Sequence, residues 1–252
     1  MEPFKLFLPN GATIPGRYNF PPRYSRSAQI RPLIVCIPGG SYDSRCLQIP
    51  VIAIDRPGYG ESTPAPDFEN APTYGQAQGI YLNSVVFPVL WQTFSDSAEA
   101  SAIVLLSHSI GAMIATIAAG SYANLEDYPL AGIITSDIGS ELFEATPKDA
   151  TMLQPPHMNL APMEIRQFTE QLNQPIPQGE LRDINTTWLG YWKDYSINVK
   201  APLLYGLGEF DSLWTCSAET LAVYKAAFPK SPNVTCEIVP MAPHCMEFSF
   251  QS

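Results

Sequence analysis

Apolar positions fall along this chain mainly in short continuous runs. Leu33–Ile37, Val51–Ile54, Ala102–Leu106, Leu130–Thr135, Leu203–Tyr205 and Val234–Val239 are of strand length and largely apolar. A strand reads that way when both of its faces are covered, as in a parallel sheet between layers of helix. The segments between these runs carry helical spacing. In Thr73–Phe94, residues Ile80, Val85, Val86, Leu90 and Trp91 recur at roughly helical intervals, and Pro88 is expected to kink the helix. Ala112–Ala119 and Ser217–Ala227 are two further predicted helices. Ahead of them, Phe4–Leu8 and Ala12–Phe20 flank Asn10-Gly11, a dipeptide suited to a tight hairpin turn, which predicts two N-terminal strands. Strands alternating with helices predict an α/β fold, a mostly parallel central sheet with helices on both faces.

Ile138–Lys200 breaks that rhythm. It holds no strand-like run, only proline-rich loops and two predicted helices, Pro162–Leu172 and Arg182–Trp192. An insertion of this size between neighbouring strands predicts a small helical cap, 138–200, over the carboxyl end of the sheet, within one domain spanning 1–252. Trp188, Tyr191, Trp192 and Tyr195 either form an apolar wall for a substrate or pack the insertion onto the sheet.

Composition narrows the class. Apolar residues are 46% of 252, enough for a large core, and charged residues only 15%, which argues against disorder. Proline, at 25 residues, is about twice its ordinary usage. Lys+Arg 14 against Asp+Glu 24 gives a net charge of −10, which disfavours a nucleic-acid partner. No run reaches the ~18 apolar residues of a membrane span. Met1–Lys5 also lacks a basic stretch leading into an apolar one. A cytoplasmic location without a membrane partner is therefore expected. Five cysteines without a CxxC spacing offer neither a disulfide framework nor a metal site. No metal and no cofactor are expected.

The segment richest in chemistry is Ile103–Met113. A strand that reverses directly into a helix forces strained backbone angles at its apex, and small residues must stand two positions before and after it. Ser107 and Gly111 are such flanks around Ser109. A serine hydroxyl is a weak nucleophile unless a base removes its proton and a third group orients that base. Of three histidines, His108 projects away from the apex and His157 lies within the insertion. His244 follows the last predicted strand, at the end of the sheet where active sites form. It is the expected base. The orienting acid is Asp211, just beyond Leu203–Tyr205, or Asp137, just beyond Leu130–Thr135.

Elbow, acid and base in the chain order Ser109, Asp211, His244 resemble the α/β-hydrolase family, in its serine-nucleophile branch, and the resemblance spans essentially the whole chain. It favours Asp211 as the acid, because Glu209 and Asp211 occupy a strand-end loop like that of the family. Asp55–Ser62 is similar to the family's loop after its fourth strand. The family's oxyanion hole uses two backbone N–H groups, which implies Ile110 and, from Pro38-Gly39-Gly40, Gly40, with Ser41 as second choice. With its moderate cap and Pro38–Asp43 loop, the chain is similar to uncharacterised fungal α/β-hydrolases. The implied activity is that of a carboxylic-ester-hydrolase-like serine hydrolase. It would cleave a small-molecule ester or thioester with a small to medium apolar acyl group, through an acyl-enzyme.

Two places depart from the family pattern. Between Leu33–Ile37 and Val51–Ile54 the family has a crossover helix, and here only Pro38–Pro50 is present. Six residues, Arg45–Pro50, would span ~9 Å as helix but ~20 Å extended, about one strand length. The helix is thus expected to be missing and Val35 and Ile52 to be exposed. Likewise only Cys245–Ser252 follows His244 where the family has a final helix, so that helix is expected to be missing and His244 to be poorly anchored. These departures leave a second reading: a catalytically weak or inactive relative, in a truncated or mis-spliced form, acting at most as a binding protein.

Overall fold

The structure is a computed structural model that describes residues 1–21, 31–37, 49–66, 71–122, 127–142, 152–167 and 176–250. Its centre is an eight-stranded sheet. The hairpin β1 (Glu2–Phe7) and β2 (Thr13–Asn19) leads it, with Gly11 at φ 81° in the turn and the Asn10 side chain accepting from Ala12 N–H. The six apolar runs become β3 (Pro32–Ile37), β4 (Val51–Ile54), β5 (Ala102–His108), β6 (Leu130–Ser136), β7 (Leu203–Phe210) and β8 (Val234–Pro243). The order is β1-β2-β4-β3-β5-β6-β7-β8. β2 pairs antiparallel with β1 and β4, and every other pairing is parallel. The chain turns back across the sheet beside β3 and β5, and a crevice opens at the carboxyl ends of strands at such a switch point. Ser109 stands at the carboxyl end of β5.

The long helical segment divides into α1 (Tyr74–Tyr81) and α2 (Phe87–Phe94), joined by a π-helical turn, Leu82–Val86. A capping box between Thr73 and Gln76 starts α1. The expected disturbance at Pro88 takes the form of that turn. Proline has no N–H to close the ladder, and the Phe87 N–H bonds Leu82 O, one residue wider than an α-helical step. Helix α3 (Ile110–Gly120) is buried at nearly every position. Gly79 lets α1 approach it closely, since a Cβ there would lie 2.5 Å from Ile117.

In the insertion, the helices are α4 (Met163–Gln167), α5 (Gln178–Thr186) and α6 (Trp188–Ser196), and α7 (Ala218–Ala226) follows β7. Trp188 and Trp192 are buried. Trp192 stacks on Tyr224 at 5.4 Å, and Tyr224 stacks on Tyr205 of β7 at 4.0 Å. Tyr191 donates to the Asp183 carboxylate, 2.9 Å away. For the two tryptophans, packing onto the sheet is the alternative that the structure realises. Flat apolar rings with few rotamers gain most where they are covered on both faces.

Val35 and Ile52, expected to be exposed, are fully buried, in the same core cluster as Leu82, Val86 and Ile114. Alternate side chains of a strand face opposite sides, and those on the other face are covered too. Ile34, Cys36 and Val51 pack there with Met1, Ile49 and Leu106. The crossover at residues 38–48, where a missing helix was expected, lies outside the described residues, as do Gly40 and Ser41. Beyond β8 the chain forms a short 3-10 turn, Met246–Phe248. Among the described residues, no helix is long and apolar enough to cross a membrane.

Candidate active site

Ser109 is the single residue between β5 and α3, with φ 53° and ψ −124°. A side chain rarely adopts such angles, and the surroundings must enforce them. Here its N–H donates to Ser136 O on β6, 2.9 Å away, and its carbonyl accepts from Ala112 N–H at 2.8 Å. Both flanks are small and buried; Ser107 also donates through its hydroxyl to Ile134 O at 3.3 Å. This strain pushes the Ser109 hydroxyl out of the sheet at the strand's carboxyl end.

His244, directly after β8, is fully buried. Its Nε2 lies 2.9 Å from Ser109 Oγ and its Nδ1 lies 2.8 Å from Asp211 Oδ2. The other oxygen of Asp211 accepts from the N–H groups of Leu213 and Trp214, at 2.7 and 2.9 Å. Those two donors fix the carboxylate and direct Oδ2 at the ring. The tautomer follows from the network: Nδ1–H donates to Asp211, leaving the Nε2 lone pair for the serine hydroxyl. The arrangement can take a proton from Ser109 and stabilise the imidazolium that results.

Asp137 closes β6 as Asp211 follows β7, and it has the opposite fate. It is fully buried at φ 53°, with Oδ1 accepting from Gly208 N–H at 3.0 Å and Oδ2 accepting from Met246 N–H at 3.4 Å. Oδ2 also lies 3.5 Å from His108 Nδ1. Burial pushes its carboxyl up to about 6, while the His108 hydrogen bond and charge pull the other way. His157 is exposed on the turn Pro156–Met158, away from this network.

His108 projects away from the Ser109 hydroxyl, as expected, but into a partnership that the sequence did not disclose. Its Nδ1 lies 3.2 Å from Glu247 Oε2 and 3.2 Å from Ser136 Oγ, and the Ser136 hydroxyl donates to Glu247 Oε1. Burial opposes charge on both partners. The Glu247 charge nevertheless raises His108 well above the ordinary histidine range, and the His108 charge brings the Glu247 carboxyl down to about 2. The one hint in the sequence is a lone carboxylate inside the otherwise apolar Met246–Phe248.

Among the described residues, histidine and carboxylates meet at metal-ligand spacing in His108–Asp137–Glu247 and in Asp137–Asp211–His244. In each group the imidazole is matched to a carboxylate. Ile110 opens α3, so its N–H is among the first-turn donors with no acceptor inside the helix. It stands directly beside Ser109.

A sequence model described as the alpha/beta hydrolase family matches residues 34–246. Comparison with curated proteins yields no significant match. Among solved structures, the chain is similar to a soluble variant of monoglyceride lipase from Saccharomyces cerevisiae in complex with a substrate analogue. The two share 15% identity over 97% of this chain and 88% of that one, with a TM-score of 0.65. N-formylmaleamic acid deformylase from Pseudomonas putida S16 superposes with a TM-score of 0.57, at 16% identity over 99% of this chain and 96% of the other. A putative aryl esterase from Burkholderia cenocepacia gives 0.51, at 17% identity over 98% and 93%. These likenesses are of fold.

Proposed function

The chain belongs to the alpha/beta hydrolase family, and from that premise we propose that it is a serine hydrolase cleaving an ester or thioester through an acyl-enzyme. The observation that carries this reading is the continuous hydrogen-bonded line from Ser109 Oγ through His244 to Asp211, with both contacts below 3 Å. Ser109 attacks the carbonyl carbon as His244 Nε2 takes its proton. Asp211 holds the ring and stabilises its charge. The Ile110 N–H, with Gly40 as its partner, receives the oxyanion. His244 then protonates the leaving group, and water activated by the same nitrogen releases the acid.

The acyl group in this reading is small to medium and apolar. Ile110 follows Ser109 and Leu213 lies two residues beyond Asp211 in the sequence, and the carbonyl of the exposed Met152 accepts from Cys245 N–H beside His244. Trp188 and Trp192, taken up in the core, play no part in binding it. The segment 138–200 serves as a cap within a single domain: Gln154 donates to Phe210 O just before Asp211, and Phe250 N–H donates to Leu160 O just beyond the segment's partner turn.

The test is labelling with a fluorophosphonate alongside turnover of p-nitrophenyl esters of several chain lengths. The protein is expected to be labelled and to hydrolyse the shorter esters, and Ser109→Ala to abolish both. Labelling that persists in Ser109→Ala, or none in the wild type, would overturn the assignment.

A further inference from the structure

His244 leaves β8 and is followed, among the described residues, by the 3-10 turn Met246–Phe248. Catalysis by a histidine base demands placement to within about 0.5 Å of the productive geometry. Residues able to contribute to that precision stand next to the triad in sequence. His108 immediately precedes Ser109, and Glu247 lies one turn beyond His244.

We propose that His108 and Glu247 form a positioning clamp that fixes the loop bearing His244 against the elbow bearing Ser109. The proposal rests on the acyl-transfer reading above. Its geometry is a closed circuit across three strand ends. His108 ends β5, and its Nδ1 meets Glu247 Oε2 at 3.2 Å. Ser136 ends β6; its carbonyl holds the Ser109 N–H while its hydroxyl donates to Glu247 and stands 3.2 Å from His108 Nδ1. Asp137 accepts from Met246 N–H, tying the same turn to β6 a second time. Cys245 adds a backbone bond to Met152 O at 2.9 Å, and its Sγ lies 3.7 Å from His108 Nε2. The His108 and His244 rings lie 5.2 Å apart, so a shift of the clamp moves the base directly. A neutral or displaced partner would leave a buried charge without its counterpart, and the turn would have to rearrange to solvate it. His108 and Glu247 therefore act through His244 and touch no substrate.

The experiment compares wild type, Glu247→Gln, His108→Gln and the double variant, with kcat and KM expressed per site titrated by a fluorophosphonate and with Tm measured in parallel. Labelling of wild type that Ser109→Ala abolishes first establishes the underlying reading by itself. Given that, Glu247→Gln is expected to lower kcat per titrated site at least tenfold with KM within twofold. The double variant should lose less than the product of the two single losses, because both substitutions break the shared His108–Glu247 contact. A Glu247→Gln protein with lowered Tm but kcat per titrated site within twofold of wild type would overturn the clamp, and so would independent, multiplying losses in the double variant. Should Glu247→Gln not fold, Ser136→Ala, which keeps both charges and removes the hydroxyl between them, is expected to lower kcat per titrated site about threefold or more. An unchanged value there would overturn the clamp equally.

Discussion

Two histidine–carboxylate pairs, each with its imidazole buried, stand side by side at the carboxyl end of this sheet, and they are chemically almost the same. His244 pairs with Asp211 at 2.8 Å, and His108 pairs with Glu247 at 3.2 Å. They differ in what the second ring nitrogen meets. For His244 it is the Ser109 hydroxyl at 2.9 Å, a group that can give up a proton to reaction. For His108 it is the Cys245 thiol at a loose 3.7 Å. They differ also in connectivity. Asp211 is held by two backbone N–H groups of its own loop, whereas Glu247 is held by side chains from two other strands. A carboxylate fixed locally orients its histidine and nothing else. One bound across strand ends constrains where the loops themselves lie. In the proposed reading, the same chemistry serves proton transfer in one place and alignment in the other.

Substitutions should separate the two pairs sharply. The largest effect is expected from Asp211→Asn, which keeps the shape but disfavours the required tautomer and removes the charge facing the imidazolium. It should lower kcat by roughly 10³–10⁴-fold, in line with the loss seen when other triads lose this charge. Steady-state turnover of a p-nitrophenyl ester measures it. A loss below tenfold would mean that Asp137, with a carboxylate oxygen within 4.8 Å of a His244 ring nitrogen and an Asp211 carboxylate oxygen, takes over the acid's role.

The second pair should show itself in stability against pH. Glu247 has a folded-state pKa of about 2, below its ordinary 4.5. The stability it contributes is therefore fully present above pH 4.5 and is lost as pH falls from 4.5 towards 2. Urea unfolding of wild type and Glu247→Gln should show a difference that is constant between pH 5 and 6 and shrinks below 4.5. A gap that stays constant down to pH 3 would show that the charge of Glu247 contributes nothing.

Asp137 should give the smallest effect and one of opposite sign. Its carboxyl is raised from 3.8 to about 6, so ionisation costs folded-state stability as pH rises through that range. Asp137→Asn removes this cost. Relative to wild type, the variant should gain stability from pH 4 to 6.5 and level off above. Parallel denaturation curves at pH 4.5 and 7.5 test it, and an unchanged difference between them would contradict the assignment.

The features legible in the sequence are those governed by near neighbours. The apolar runs that became β3, β4 and β5 announce covered strands because burial on both faces admits no polar alternation. The elbow is legible because the strain at Ser109 demands small residues at Ser107 and Gly111, all within five positions. The hairpin at Asn10-Gly11 follows the same logic. The choice between Asp137 and Asp211 was not legible in that way. Both follow a β-strand, and only the direction in which each loop turns decides which one meets His244. Val35 and Ile52 show another limit: a connection short of a helix suggested bare strands, but core contacts from distant helices bury both. The clamp was invisible for the most basic reason, since His108, Ser136 and Glu247 are far apart in the chain.

Periodicity, turn chemistry and local sterics, all written within a few residues of one another, determined the strands, the helices and the strained serine at the head of α3. Only the tertiary structure decided which carboxylate faces which imidazole, and that Trp188 and Trp192 of α6 fill the core. Those outcomes depend on how strand ends from distant parts of the chain converge, and a hydrogen bond of 3 Å is set by that convergence rather than by the identity of either partner.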